Sequence, residues 1–335
     1  MTQFAWALVG PGKIARRFAS AVQQLPGARL HSVLGRDADR ARAFAEEFSA
    51  FRWTTDLAAL LSDPVVDGVY VATPHSEHGE IVHACLEAGK PVLCEKPLVP
   101  SRAQAEPLVA LARERGLFLM EAVWTRFLPV YTEVLQGWLR DQQAIGELRG
   151  IQSSFCFPAP YQPGSRLFDP ALAGGALLDI GIYNLTVTRW VLQQALGACP
   201  KPLALRAEGV LAPTGVDQRV NATLSFPGGL VSQFICGIDG SSDNALHILG
   251  TRGSITLPHN FWQATEARLQ RHGEAPQTVA APLRINGFEG EIEEAMRCIR
   301  AGLIESPRMP HAESLATLAW MDEIRRQLGV RYPFE

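Results

Sequence analysis

The chain has 335 residues, 47% hydrophobic and 19% charged, with a formal net charge of −3. That length exceeds one ordinary core and suits two domains, and the composition excludes a disordered chain. The near-balanced charge excludes a general electrostatic pull towards nucleic acid or an anionic membrane.

The N-terminus, MTQFAWALVGPGKIARR, puts its positive charges after the apolar run, the reverse of a secretory signal. Apolar runs are broken by Gly, Pro or charge well before the roughly 20 residues of a bilayer span, so a cytoplasmic protein is expected. The first third then alternates strand and helix patterns. FAWALVG (4–10) reads as a buried strand, KIARRFASAVQQL as an amphipathic helix and ARLHSVLG as a second strand. A helix capped by Asp37 follows, then the strand VDGVYVATP and a helix from Ser76 to Gly89. KPVLCEKP, SRAQAEPLVALARERG and LFLMEAVW continue the rhythm, although Pro107 lies inside the last helical pattern. Repeated β-α-β units specify a doubly wound parallel sheet covered on both faces, here over 1–123.

From 124 the rhythm changes, and 124–335 is expected to be a second α/β domain. A helical stretch (127–140), a strand at GELRGIQSSFCF and a Pro-rich segment lead to the apolar GGALLDIGIYN (174–184). Alternating strands follow: LALRAEGVLA, QRVNATLSF, GLVSQFICGI and ALHILGTRGSITL. They predict an open, mostly antiparallel or mixed sheet. In RVNATLSF one face carries Val220, Ala222, Leu224 and Phe226; the other carries Asn221, Thr223 and Ser225. That uncharged polar face suits water or, as the preferred reading, another subunit. Two amphipathic helices close the chain.

GPGKIA directly after the first strand matches G-x-G-x-x-A. Gly10 makes the tight turn, Gly12 allows close approach of a pyrophosphate, and Ala15 packs helix on sheet. The helix N-terminus at Lys13 and Ile14 offers N–H groups to phosphate oxygens. A dinucleotide site is predicted. An NAD site places an acid at the end of the second strand. Here Gly35 stands there and Arg36 follows, a guanidinium that can pair with a 2′-phosphate. NADP is expected over NAD, with NAD use possible should Asp37 serve as the ribose ligand instead.

Lys96, in LCEKP, sits at the carboxyl end of a parallel strand, the edge where such sheets bind ligands, and Pro97 holds it out of helical geometry. Asp179 and Tyr183 stand four apart and share a helix face, either as a hydrogen-bonded core pair or as the wall of a reaction site. Six cysteines without a C-x-x-C pair read as reduced core thiols. His75 and His78 lack a convincing third ligand, so no metal site is expected. Phe157 and Phe168, with Trp124, could furnish an apolar wall for a ring-shaped substrate. Arg166 could serve substrate hydroxyls or simply solvate its loop.

The motifs GPGKIA, ATPHSEH, LCEKP and GGALLDIGIY, in this order, resemble those of the glucose-fructose oxidoreductase / inositol dehydrogenase superfamily (Gfo/Idh/MocA). LFLMEAVWTRF and the C-terminal ESLATLAWMDEIRRQLGVRYPF look like its dimeric dihydrodiol dehydrogenase / NADP-dependent D-xylose dehydrogenase branch. The resemblance implies a Rossmann domain followed by a sheet domain whose open face dimerises. It implies Lys96 as catalytic lysine, Asp179 as the acidic helix residue and Tyr183 as acid/base. Thr73, His75, His78 and Glu95 would line the nicotinamide end, with Trp124 and Arg126 near cofactor or substrate. Hydride transfer between the cofactor and a sugar or trans-dihydrodiol carbinol is the expected reaction. A small-molecule polyol partner and a homodimer or higher homo-oligomer accompany it, without nucleic acid or membrane. The alternative from another class is a non-catalytic NADP-binding sensor or regulatory protein.

Overall fold

A computed structural model of the chain describes residues 3–335. The chain divides into two compact units, one of 1–124 with 284–316 and the other of 125–283 with 317–335. The sequence division at 123/124 treats the remainder as continuous; in the structure the segment 284–316 packs with the first unit.

The first unit is built on six parallel strands: β1 (Phe4–Val9), β2 (Ala28–Leu34), β3 (Arg52–Thr54), β4 (Gly68–Val71), β5 (Val92–Glu95) and β6 (Leu119–Ala122), in the order β3-β2-β1-β4-β5-β6. Every residue of β1, β4, β5 and β6 is buried, as two-sided coverage requires. Helices α1 (Lys13–Gln24), α2 (Ala38–Glu47), α3 (Leu57–Leu61), α4 (His78–Glu87) and α5 (Arg102–Arg115) alternate with the strands. With 3 and 5 residues, β3 and α3 are too short to carry a periodic signal. Pro107 stands at the sixth position of α5, which continues through it. The chain order reverses between β1 and β4, and ligands of such sheets lie beyond the strand carboxyl ends at that switch point.

The second unit contains β7 (Leu148–Cys156), β8 (Ala204–Leu211), β9 (Asp217–Ser225), β10 (Val231–Gly237), β11 (Leu246–Gly250), β12 (Gly253–Leu257), β13 (Glu266–Arg271) and β14 (Gln277–Ala280). They form one sheet in the order β14-β13-β12-β11-β7-β10-β9-β8, antiparallel except for β7 with β10. ALHILGTRGSITL is a hairpin of two strands, β11 and β12, and the polar β13–β14 pair extends the sheet beyond the strands expected. One face packs on α6 (Ile182–Leu196), through Asn184 Nδ2 to Ser153 Oγ at 2.8 Å and Thr188 to Ser232 at 2.9 Å. The segment Pro170–Leu196 is long and apolar enough in composition to cross a bilayer, yet 89% of its most apolar window is buried within the protein. Helices α7 (Glu289–Arg300) and α8 (His311–Leu328) complete the chain.

Candidate active site

The loop after β1 is shaped for an anion. Gly10 has φ +93, and a Cβ there would lie 2.8 Å from the Ala72 carbonyl oxygen, so only glycine lets the chain pass. At Gly12 a Cβ would meet nothing within 4 Å, which leaves open space before the start of α1. That helix has no side-chain cap and no acidic residue in its first turn, so the N–H groups from Lys13 onward face an anion site unopposed. A dinucleotide pyrophosphate fits this cradle.

The end of β2 leaves little room for an acid. A Cβ at Gly35 would already stand 3.0 Å from Pro11 Cγ and 3.3 Å from Ala41 Cβ. Asp37 is occupied in capping α2, accepting from the Arg40 N–H at 2.8 Å. Arg36 is exposed beside the loop and pairs with Glu77 at 3.1 Å.

At the carboxyl end of β5, Glu95 is buried and accepts a 2.5 Å hydrogen bond from the Tyr70 hydroxyl. Burial, and then the neighbouring Glu95, push that phenol well above its ordinary pKa, so Tyr70 stays a donor. Lys96 follows, 8% exposed, joined to Pro97 by a cis peptide. His78 lies fully buried at the start of α4, its Nδ1 2.9 Å from the Pro97 carbonyl and its Nε2 2.9 Å from that of Thr73. Burial lowers its pKa and keeps the ring neutral. A neutral ring has a single N–H, so it donates to one of these two carbonyls and packs against the other, sitting between the Lys96–Pro97 turn and the Thr73 loop, a placement that the H-x-x-H spacing does not reveal. His75 is buried with its ring 5.8 Å from that of His78. Trp124 is also buried, between Arg17, whose guanidinium carbon lies 4.4 Å from its ring, and Phe288 at 5.2 Å.

Beneath Glu95 the first unit holds a second acid. Glu291 of α7 is fully buried, and neither of its oxygens has a hydrogen-bond partner. Burial, then repulsion from Glu95, raises its carboxyl well above the ordinary range, against the pull of Arg17. Its sequence signal is positional: Glu291 stands four and seven residues before Ala295 and Cys298 on the buried stripe of α7.

In the second unit, a π-helical turn, Leu177–Gly181, runs directly into α6. Asp179 and Tyr183 ride on it, each 6% exposed. Asp179 takes both arms of Arg166, Nη1 at 2.9 Å and Nη2 at 3.3 Å. Tyr183 packs against Phe155, ring centroids 5.8 Å apart, and Phe155 stacks on Trp262 and touches Phe157. Phe168 is buried, with Tyr161 edge-on at 5.0 Å. Arg126 is buried and donates to Gln193 Oε1 at 3.0 Å.

The glycines of this motif serve packing. A Cβ on Gly181 would meet Cys236 Sγ at 2.8 Å and Leu177 Cδ1 at 3.0 Å, so this residue seats helix on sheet. Gly175, at φ +122, lies against Asp217, whose Oδ1 would be 2.4 Å from an added Cβ. Asp217 Oδ2 accepts from the Leu177 N–H at 2.6 Å, capping the helix that carries Asp179 and Tyr183. Burial drives the Asp217 carboxyl up to about 7, against the N–H groups of Leu177 and Ala176 and the charge of Arg325. All six cysteines are free, and five of them are buried. Among the described residues, no group of three or more His, Cys, Asp or Glu is placed to hold a metal.

A six-stranded parallel sheet with an anion cradle at its switch point, joined in one chain to a sheet domain bearing a buried Asp/Tyr helix, defines a dinucleotide-dependent oxidoreductase. The oxidoreductase family with an NAD-binding Rossmann fold, Gfo/Idh/MocA, matches residues 4–123, and the Gfo/Idh/MocA C-terminal domain matches residues 139–256. The chain belongs to this family. It is 36% identical, over 98% of each chain, to trans-1,2-dihydrobenzene-1,2-diol dehydrogenase of Sus scrofa, and equally so to that of Homo sapiens. Among solved structures, a 3-ketoreductase from Actinomadura kijaniata in complex with NADP and TDP-benzene is 29% identical, with a TM-score of 0.83, over 97% of this chain and 98% of that one. Levoglucosan dehydrogenase, in complex with NADH and levoglucosan, has a TM-score of 0.85 over 98% of each chain; at 20% identity it shows the shared fold alone.

Proposed function

We propose that this oxidoreductase uses NADP to oxidise a carbinol of a sugar, at an aldose C1, or of a trans-dihydrodiol, and that it runs the reverse reduction on the same residues. The observation that carries the reading is the anion cradle at α1, open at Gly12 and followed by Arg36 instead of an acid. Gly10, Gly12 and the α1 N–H groups would hold the pyrophosphate, and Arg36 the 2′-phosphate. The bound dinucleotide supplies the hydride acceptor; the protein supplies position and proton transfer.

Tyr183 acts as acid/base, taking the hydroxyl proton as the carbonyl forms. Lys96 assists by favouring the phenolate and by donating a hydrogen bond to the substrate oxygen. Glu95, with Tyr70 donating to it, and His78, packed between the Pro97 and Thr73 carbonyls, hold the turn that presents the lysine. The dihydrodiol dehydrogenases at 36% identity support this substrate class over the sensor reading. NADPH formation followed at its absorbance band across aldoses, inositols and trans-dihydrodiols tests it. Flat traces with every substrate, together with tight NADP binding, would leave only a sensor.

We also propose that the open face of the large sheet pairs two copies of the chain. His247, Gln152, Gln233, Thr223 and Arg206 stand in register across five adjacent strands, polar and with no carboxylate among them. Such a row meets its own copy without like-charge carboxylates opposed. Light scattering at working concentration reads the result, and a monomer that persists at high protein concentration removes the proposal. Six free thiols fit a reducing, cytoplasmic setting.

A further inference from the structure

In the second unit the acid of the catalytic helix is not what meets the solvent. Asp179 has a side chain only 8% exposed, whereas that of Arg166, bonded to both its oxygens, is 58% exposed. Of the two partners, the guanidinium is the one that presents surface to solvent.

Arg166 is also held at its backbone. The Ser165 carbonyl accepts from the N–H groups of Phe168 at 3.0 Å and Asp169 at 2.9 Å, and the Leu167 carbonyl accepts from Gly175 at 2.9 Å. The Gly174 N–H donates to the Asp169 carbonyl at 3.0 Å, and a Cβ on Gly174 would stand 2.8 Å from the Leu167 carbonyl oxygen. The loop is thus laced to the start of the Asp179 helix on both sides of Arg166. A guanidinium so anchored, its plane set by a two-point bond to a carboxylate, loses little conformational freedom when it binds an oxygen.

The pair carries no net charge, so it has no bulk attraction for an anion. What it offers is N–H donors beside carboxylate acceptors, one helical turn before Tyr183. A hydroxyl group, both donor and acceptor, matches that edge; a hydrocarbon leaves it unmatched.

We propose that Arg166 is a specificity-determining substrate contact which, with Asp179, reads a second hydroxyl adjacent to the carbinol being oxidised, so that the enzyme selects uncharged vicinal diols and polyols over simple alcohols. This rests on the reading of Tyr183 as acid/base, and it adds the residue that chooses among substrates.

The test compares kcat/KM for trans-1,2-cyclohexanediol and for cyclohexanol, with NADP, in the wild type, Arg166→Met and Arg166→Lys. The wild type prefers the diol. Arg166→Met narrows that preference by about 10–100-fold, the loss expected for hydrogen bonds from a charged donor, chiefly through KM. Arg166→Lys restores part of it, since an ammonium keeps the donor but not the fork. A preference unchanged in Arg166→Met, or equal losses on both alcohols, overturns the proposal. If Arg166→Met does not fold, Arg166→Lys is read alone, and an unchanged preference overturns the proposal in the same way. Thermal shift by the diol on the NADP-saturated protein reads binding without turnover. A shift in the wild type that Arg166→Met loses, with no alcohol oxidised by either, supports the diol contact while removing the dehydrogenase reading. No shift and no diol preference in the wild type removes the contact.

Discussion

Asp217→Asn separates the cap of the Asp179/Tyr183 helix from its charge. Asn can still accept from the Leu177 N–H that now lies 2.6 Å from Asp217 Oδ2, but it cannot ionise. In the folded chain burial moves the Asp217 carboxyl from an ordinary 3.8 up to about 7. At 1.36 kcal/mol for each tenfold, the folded state holds that proton more tightly by about 4 kcal/mol. The unfolded chain therefore ionises first as pH rises. Stability is intact below about pH 4, falls between there and about pH 7, and falls no further once the folded state has also ionised. The amide variant has no such slope. At pH 4 the wild type is expected to be the more stable by about 1–2 kcal/mol, since the amide NH2 replaces an oxygen seated against Gly175. By pH 8 the order reverses, the variant leading by about 2–3 kcal/mol. Urea unfolding of both proteins from pH 4 to pH 8 measures the difference, in which every other titrating group cancels. A difference constant across that range, or one moving in favour of the wild type as pH rises, refutes the reasoning. The carboxylate would then be ionised and stably paired, with Arg325 as partner.

Four further outcomes are expected. Tyr183→Phe removes one hydroxyl and should lower turnover by about 10²–10⁴-fold with NADP affinity retained; near-normal turnover would take Tyr183 out of the acid/base role. Arg36→Ala should weaken NADP binding by about 10–100-fold in a fluorescence titration and leave NAD binding within a few-fold, and equal changes for both would sink the 2′-phosphate assignment. Glu291→Gln should stabilise the protein more at pH 8 than at pH 4, because a carboxyl whose folded pKa is raised loses stability as pH rises past its unfolded value; a loss that grows from pH 4 to pH 8 would mean an ionised Glu291 paired with Arg17. Gly181→Ala should cost about 1–3 kcal/mol through the 2.8 Å approach to Cys236 Sγ, and adding Cys236→Ala should recover part of it; strict additivity of the two changes would show that the contact does not exist.

The local pattern was enough for the elements of the candidate site. Period and punctuation mark β1, the Gly10–Gly12 turn, α1 and the strand ending at Lys96, because a buried parallel strand and a glycine turn at a helix start each leave a signature within a few residues. The alternation in β9 marks its two faces in the same way, since a sheet side chain faces one side or the other by parity. Asp179 and Tyr183 could be placed on one helix from their spacing alone. What surrounds them could not. Arg166 reaches Asp179 across 13 residues, Asp217 reaches Leu177 across 40, and Tyr70 reaches Glu95 across 25. Nothing in a local window specifies such a partner, because it is chosen by which buried charge or open N–H group needs one. The same holds for Gly181, which is small because Cys236 of another strand lies beneath it, and for 284–316, whose helix looks like any amphipathic C-terminal helix until packing assigns it to the first unit. Periodicity decides what a segment becomes. Desolvation and close packing, which act between segments, decide what each polar side chain is for.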